Sequence, residues 1–371
     1  MKKNLHVVSF DVPYPANYGG VIDVFYKIKE LASLGVEIYL HVFEYGKGKQ
    51  EELEKYCKKV AYYKRNSFFE SFVSSEPFIV KSRGNSKLIK NLKKIDAPIL
   101  FDGLHTTYIL TLNSFKNQKK YVRAHNIEHD FYKGLAKSES NLFKKKFFKR
   151  EAKKLKHYER ILNDLDGVFT ISPYEQDYFE KKYGEKCIYI PAFHDANIYT
   201  KHKPKGKQIL YHGNILVSEN VKAALFLIEV YKKSDFHLTI ASSYQNKEVF
   251  KQIEKYKNIH FSSLKSDNDL IQLFQEAHIN VLPTFQKTGI KLKLLNTLYQ
   301  GKFVIANDFM IQDTGLEPLC ELANTREEFL SKTKELYDKD FTESMIQNRL
   351  NTLKGFSPKV GAQKIIDIIF S

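Results

Sequence analysis

The chain has 371 residues, 43% of them hydrophobic and 27% charged, which is too long for one ordinary core, sized for two domains, and excludes a disordered chain. Its three cysteines, Cys57, Cys187 and Cys320, are far apart, which excludes a disulfide framework and a cysteine zinc site and suits a reducing compartment. The formal net charge of +16 is uneven: residues 1–190 hold 35 Lys/Arg against 23 Asp/Glu, the remainder 24 against 20, so the first half is the half expected to meet an anionic surface.

In chain order, residues 5–10 read as a buried strand. The short apolar run there is broken by Asp11 and Pro13 and does not read as an export signal. Residues 21–34 have helical spacing and stop at Gly35. Strands follow at 36–43, 97–101, 120–124, 167–171 and 187–190, the last ended by Pro191. Helical spacing with one apolar stripe (Phe143, Phe147, Phe148, Ala152, Leu155, Leu162) covers residues 144–160. The rhythm then restarts, with strands at 208–211, 237–241, 259–262, 279–283 and 303–307 and helices at 221–232, 248–256, 267–276 and 292–299. Strands separated by helices of this length imply parallel sheets covered on both faces, and two series in tandem imply two Rossmann-like α/β domains. The expected boundaries are 1–195, 205–355, and a tail helix at 356–371 that returns to the first domain. No stretch approaches the ~20 apolar residues a membrane span requires, so the expected location is cytoplasmic.

Several segments carry chemistry. Tyr18, Gly19 and Gly20 close the loop between the first strand and first helix, where glycine permits close approach and positive φ. His125, Asn126, Glu128 and His129 crowd the end of strand 120–124, where open parallel sheets build sites. Gly213 and Asn214 end a strand, and Lys222 lies in the next helix. Thr288, Gly289 and Ile290 offer backbone amides at another helix start, with Lys291 and Lys293 able to neutralise phosphate oxygens. Clustered carboxylates of the Asp-any-Asp kind are missing near strand ends, so no divalent metal is expected. From Lys144 to Arg160 nine basic residues accompany two acids. That composition fits either a solvated helix face or docking on an anionic membrane; no nucleic-acid module accompanies the charge.

In order and spacing these pieces resemble the GT-B glycosyltransferases, in particular the retaining family-4-like group. The resemblance rests on Tyr18 to Gly20, Arg123 to His129, Ile171-Ser172, Ile190-Pro191, Tyr211 to Gly213, and Gly289 to Asn296. It implies two Rossmann-like domains facing each other across a cleft. It also implies transfer of a hexosyl group from a UDP- or GDP-sugar to a glycan or lipid-linked acceptor, with retention, in cell-surface polysaccharide or lipopolysaccharide synthesis. On it, His125 is the active-site histidine beside the transferred sugar. Gly19, Gly20, Gly213, Asn214, Lys222, Thr288, Gly289, Ile290, Lys291, Lys293 and Asn296 are donor contacts, and Tyr18, Asn126 and Glu128 lie on the acceptor side. The donor is a substrate, no cofactor is required, and the expected station is the inner face of a membrane. Asn296 stands where many members have a ribose-binding glutamate, and Asn214 where many have an arginine. Another GT-B enzyme, an epimerase or inverting transferase, and a degenerate nucleotide- or anionic-lipid-binding member remain open alternatives.

Overall fold

The computed structural model describes residues 3–16, 18–67, 71, 74–112, 115, 117–139, 141–195, 207–285 and 292–371. The chain divides into two compact units. Met1–His194 joins Phe356–Ser371 in the first, and Asp195–Gly355 forms the second.

The first unit is built on seven parallel strands: β1 (Lys3–Ser9), β2 (Val36–Glu44), β3 (Lys59–Lys64), β4 (Ile99–Asp102), β5 (Lys120–Ala124), β6 (Gly167–Thr170) and β7 (Cys187–Tyr189). Their order is β3-β2-β1-β4-β5-β6-β7. The central strands are covered on both faces, which is why β4 and β6 are buried at every position. The sequence reading omits β3. Lys59–Lys64 is a sheet edge with a half-exposed pattern, so its polar and apolar residues do not separate as they do in a central strand.

One face of this sheet packs on α1 (Gly19–Ser33) and on the C-terminal helix Pro358–Ile369, whose Ala362, Ile365, Ile366 and Ile369 join Leu5, Val24, Ile28 and Ile38 in a single core. The tail is also tied by hydrogen bonds from Lys364 to the Tyr189 carbonyl (3.0 Å) and from Lys119 to the Ser371 carbonyl (2.8 Å). The other face packs on Leu155, Leu162 and Phe179.

The second unit repeats the plan with β8 (Gln208–His212), β9 (His237–Ser242), β10 (Ile259–Ser263), β11 (Ala277–Leu282), β12 (Phe303–Ala306) and β13 (Glu321–Leu322), in the order β10-β9-β8-β11-β12-β13. Each unit is a Rossmann-like doubly wound sheet. Each has one point where the strand order reverses, between β1 and β4 in the first and between β8 and β11 in the second. Ligands gather at the carboxyl ends of strands at such points.

Candidate functional site

In the first unit the strands adjoining the reversal end in Ser9 and Asp102, and β5, next to β4, ends in Ala124. Phe10, Gly103 and His125 are therefore neighbours at one sheet edge. The Phe10 ring lies 5.5 Å from the rings of both His105 and His125. Gly20 has no side chain because a Cβ there would come 2.7 Å from Phe10 Cζ. Neither Gly19 nor Gly20 has positive φ; both are the first residues of α1, so the expected positive φ is corrected. Gly20 serves close approach, and helical dihedrals satisfy the turn.

Beneath His125 lies a buried charge network that sequence reading misses. Asp23 and Lys27 lie four apart on the core face of α1 among Val24, Ile28 and Leu31, all fully buried. Arg123 grips Asp23 with two bonds, Nη2 to Oδ1 at 2.8 Å and Nε to Oδ2 at 3.1 Å. Its remaining donors reach the carbonyls of Thr170, Ile190 and Pro191. Lys27 bonds Asp102 and lies 3.7 Å from Asp23. Burial by itself would raise the pKa of Asp23, but the charges of Arg123 and Lys27 outweigh it and hold the carboxyl well below the usual range. Two anions and two cations thus balance inside the fold. The visible signal was a pair of charged residues on the apolar stripe of an amphipathic helix.

His125 stands at the top of this network. Its Nε2 is 3.5 Å from Asp102 Oδ1 and 3.8 Å from Asp23 Oδ2, and among the described residues neither ring nitrogen has a hydrogen-bond partner. A buried, oriented imidazole with unfilled polar atoms is equipped to meet hydroxyl groups of a ligand. One ligand atom from each of Asp23, Asp102 and His125 lies within 4.8 Å of the others. That spacing would suit a metal ion, but Lys27 and Arg123 already neutralise both carboxylates, and a divalent ion here would sit against two fixed cations.

Glu128 and Asn126 follow at the start of the helix Glu128–Ser138. Burial pushes the Glu128 carboxyl up to about 8, with Asn126 hydrogen bonding and the Arg83 charge opposing. It is therefore mostly protonated at neutral pH. Its Oε2 is 3.8 Å from His105 Nε2, and burial, followed by the charge of Arg83, keeps His105 neutral. His129, the other histidine of the segment, points elsewhere: its Nδ1 lies 3.2 Å from Glu159 Oε2 in a structural cluster with Tyr178 and Lys182. Tyr18 donates to Asp11 Oδ2 at 2.7 Å.

In the second unit, β8 ends in His212 and leads into Gly213. A Cβ on Gly213 would come 2.7 Å from Lys293 Nζ. Lys293 donates to Asn220 Oδ1 at 2.8 Å and lies over the Tyr211 ring. The lysine of the helix Leu292–Gln300 and the glycine of the β8 loop are therefore brought together across 80 residues. Burial, then the Lys293 charge, lowers His212 to about 3. This neutral ring bonds Thr297 Oγ1, which itself donates to the Lys293 carbonyl, so the proton sits on Nε2. Asn214 shapes its own loop, accepting from Leu216 N–H and from Asn220 Nδ2. Asn296 Oδ1 is buried without a partner among the described residues. Lys222 is exposed, with Nζ 4.3 Å from the Phe285 ring centroid. Glu219, unremarked in the sequence, receives Phe285 N–H and Thr284 Oγ1 and so anchors the start of the following loop. Thr288, Gly289, Ile290 and Lys291 lie outside the described residues.

The basic segment forms the helix Leu142–Tyr158, capped by Asn141 Oδ1 on two backbone amides, and then a short 3-10 turn, Glu159–Asp164. Ala152 and Leu155 are buried, but Leu142 is 78% and Phe143 88% exposed. The stripe expected to serve the core thus does so only over its second half. The first turn presents two bare apolar side chains beside exposed Lys144, Lys146 and Lys149.

Comparison with known proteins agrees with this architecture. The family model of the glycosyl transferases group 1 matches residues 206–339, nearly the whole second unit. A Klebsiella pneumoniae protein described as an uncharacterized 44.6 kDa protein in the cps region is 28% identical over 384 residues, covering 98% of each chain. A glycosyltransferase from Rickettsia africae superposes with a TM-score of 0.68 at 17% identity, covering 99% of this chain and 98% of its own. Anabaena HepE, solved in complex with UDP and glucose, gives 0.68 at 13% identity with 98% of each chain covered. These matches place a glycosyl transferases group 1 domain in the second unit, within a GT-B fold that the whole chain shares with solved glycosyltransferases.

Proposed function

We propose that the protein moves a hexosyl group from a nucleoside-diphosphate sugar, UDP- or GDP-linked, to a glycan or lipid-linked acceptor in the synthesis of a cell-surface polysaccharide or lipopolysaccharide. The observation that carries this reading is the pairing at the β8 end of Gly213 with Lys293, a side-chain-free loop facing a fixed cation. That arrangement suits a diphosphate. Anabaena HepE with UDP and glucose supports a uridine donor, and the cps-region relative supports a surface polysaccharide.

In the proposed reaction the bond between the anomeric carbon and the diphosphate oxygen breaks, and the acceptor hydroxyl oxygen takes its place with retention. The hydroxyl proton passes to the departing phosphate. Charge grows on the diphosphate, where Lys293 and backbone amides stabilise it, so no divalent metal is required. His125, held above the Asp23–Lys27–Asp102–Arg123 network, orients a hydroxyl of the transferred sugar. Asn296, with its unfilled Oδ1, bonds a ribose hydroxyl. Reversible docking through the basic helix would bring a lipid-linked acceptor within reach at the inner face of the membrane.

A thermal-shift screen with UDP-, GDP-, ADP- and CMP-sugars, with and without a chelator, tests the donor reading. One nucleotide sugar should raise the Tm, equally in chelator, and Lys293→Met should abolish the rise. A screen in which no nucleotide sugar stabilises the protein would leave the chain a degenerate member. The anomer of the product distinguishes retention from inversion.

A further inference from the structure

The carboxyl edge of the first sheet carries a second polar group that donor chemistry does not use. Arg65 follows β3, and Arg83 follows the short helix Phe78–Lys81. Asn66 pins the segment bearing Arg83 to the end of β3. Its N–H donates to the Ser82 carbonyl at 2.7 Å, and its Nδ2 donates to the carbonyls of Lys81 and Gly84. Arg65 Nη2 donates to Ser82 Oγ at 3.1 Å, and its guanidinium rests over the Tyr45 ring. Arg83 is 94% buried, with Nε on the Phe10 carbonyl at 3.0 Å and Nη1 on the Ile79 carbonyl at 2.6 Å.

Neither arginine has an ion-pair partner among the described residues. The nearby acids are occupied. Asp11 is taken by Val12 N–H, Tyr18 and Lys47, and Glu44 by the amides of Gly46 and Gly48. Glu128 is held protonated by its own burial. Burial and then the charge of Arg65 pull Arg83 down to about 9. Two arginines crowded together without a counterion are costly to a fold, and an anionic ligand would repay that cost. Buried Glu128 Oε1 and His105 Nδ1 also lack partners among the described residues, and the His105 ring packs on the same Phe10 ring as His125.

We infer that Arg65 and Arg83 bind a phosphate ester carried by the acceptor, with Glu128 Oε1 and His105 Nδ1 bonding the acceptor sugar. This rests on the glycosyltransferase reading above and names the acceptor's chemical class. Arg83 reaches the end of β1, two strand positions from β5 and His125. A phosphate held there lies on the same carboxyl edge of the sheet as His125, as a phosphate carried by the acceptor sugar would.

The test uses the full chain saturated with UDP, titrated with glucose 1-phosphate and, as the uncharged control, glucose. Glucose 1-phosphate should bind at least about tenfold more tightly than glucose. Arg65→Gln, a change at a partly exposed residue, should erase that preference, and Arg65→Lys should restore part of it. An unchanged preference in Arg65→Gln, or none in the unaltered protein, overturns the inference. So would loss of binding to anionic vesicles without loss of sugar-phosphate binding in Arg65→Gln, since the pair would then read a lipid headgroup. UDP binding is a separate readout, and its absence would count against the donor reading while the phosphate titration still reports on the arginines.

Discussion

His125 and Lys293 are the residues on which chemistry turns. His125 makes no hydrogen bond among the described residues, so His125→Ala should retain the fold, read by circular dichroism, while lowering kcat by about 100-fold or more. Lys293→Met should cost donor affinity by about 1–3 kcal/mol, the scale of a charged hydrogen bond, measured by calorimetric titration of the donor. Arg123 is different in kind. Every donor it has is spent inside the fold, and Arg123→Met should lower unfolding stability by about 3–5 kcal/mol by stranding Asp23. Glu128 supplies a pH signature. Its folded pKa of about 8 lies above the ordinary 4.5, so the folded state binds the proton more tightly. The stability it contributes is full below pH 4.5 and drains away as pH rises towards 8. Relative to the unaltered protein, Glu128→Gln should therefore gain Tm as pH rises from 5 to 8. A pH-independent difference would place the carboxyl in a wetter setting.

At the scale of elements, the helix Leu142–Tyr158 divides its labour along its length. The second half is fastened by Ala152 and Leu155 in the core and by Glu151, which accepts Phe78 N–H. The first half offers lysines and two bare apolar side chains. Each Lys or Arg near an anionic surface contributes about 1 kcal/mol, screened by salt. Flotation with vesicles should therefore show binding to anionic lipid, release at high salt, and weakening in a variant with Lys144, Lys145, Lys146 and Lys149 changed to Gln. Leu142→Ser with Phe143→Ser should weaken docking at low salt while leaving the fold intact, because those exposed side chains have no core to leave. A protein that ignores anionic vesicles at low salt would make this face a solvated surface and the acceptor a soluble one.

At the scale of the whole molecule, the tail belongs to the beginning. Pro358–Ile369 buries three isoleucines against α1 and β1. At about 1.5–3 kcal/mol each, their loss is comparable with the whole stability of a typical domain, about 5–15 kcal/mol. A chain ending at Phe356 should expose the first unit to protease and hydrogen exchange while the second unit, whose described core includes no residue of the tail, stays protected. Equal protection of both units would assign the tail a lesser part.

Much of this was legible beforehand. Strand–helix alternation, glycines at strand ends and the apolar runs of buried parallel strands are local signals, and they placed β5 and the helix Asp267–Glu276 residue for residue. The concentration of polar groups around His125 was equally visible, because β5 runs straight into it. The sequence also showed that Lys291 and Lys293 could not both face the core, without showing what either would meet. Only tertiary structure decided that Lys293 faces Gly213, that Asp23 and Lys27 on α1 balance Arg123 and Asp102, and that Arg65 and Arg83 share an edge with His125. Those partners are up to 100 residues apart, and the pairing follows from strand order. Reversal of that order at β1 and β4 brings together chain segments whose local patterns carry no trace of one another.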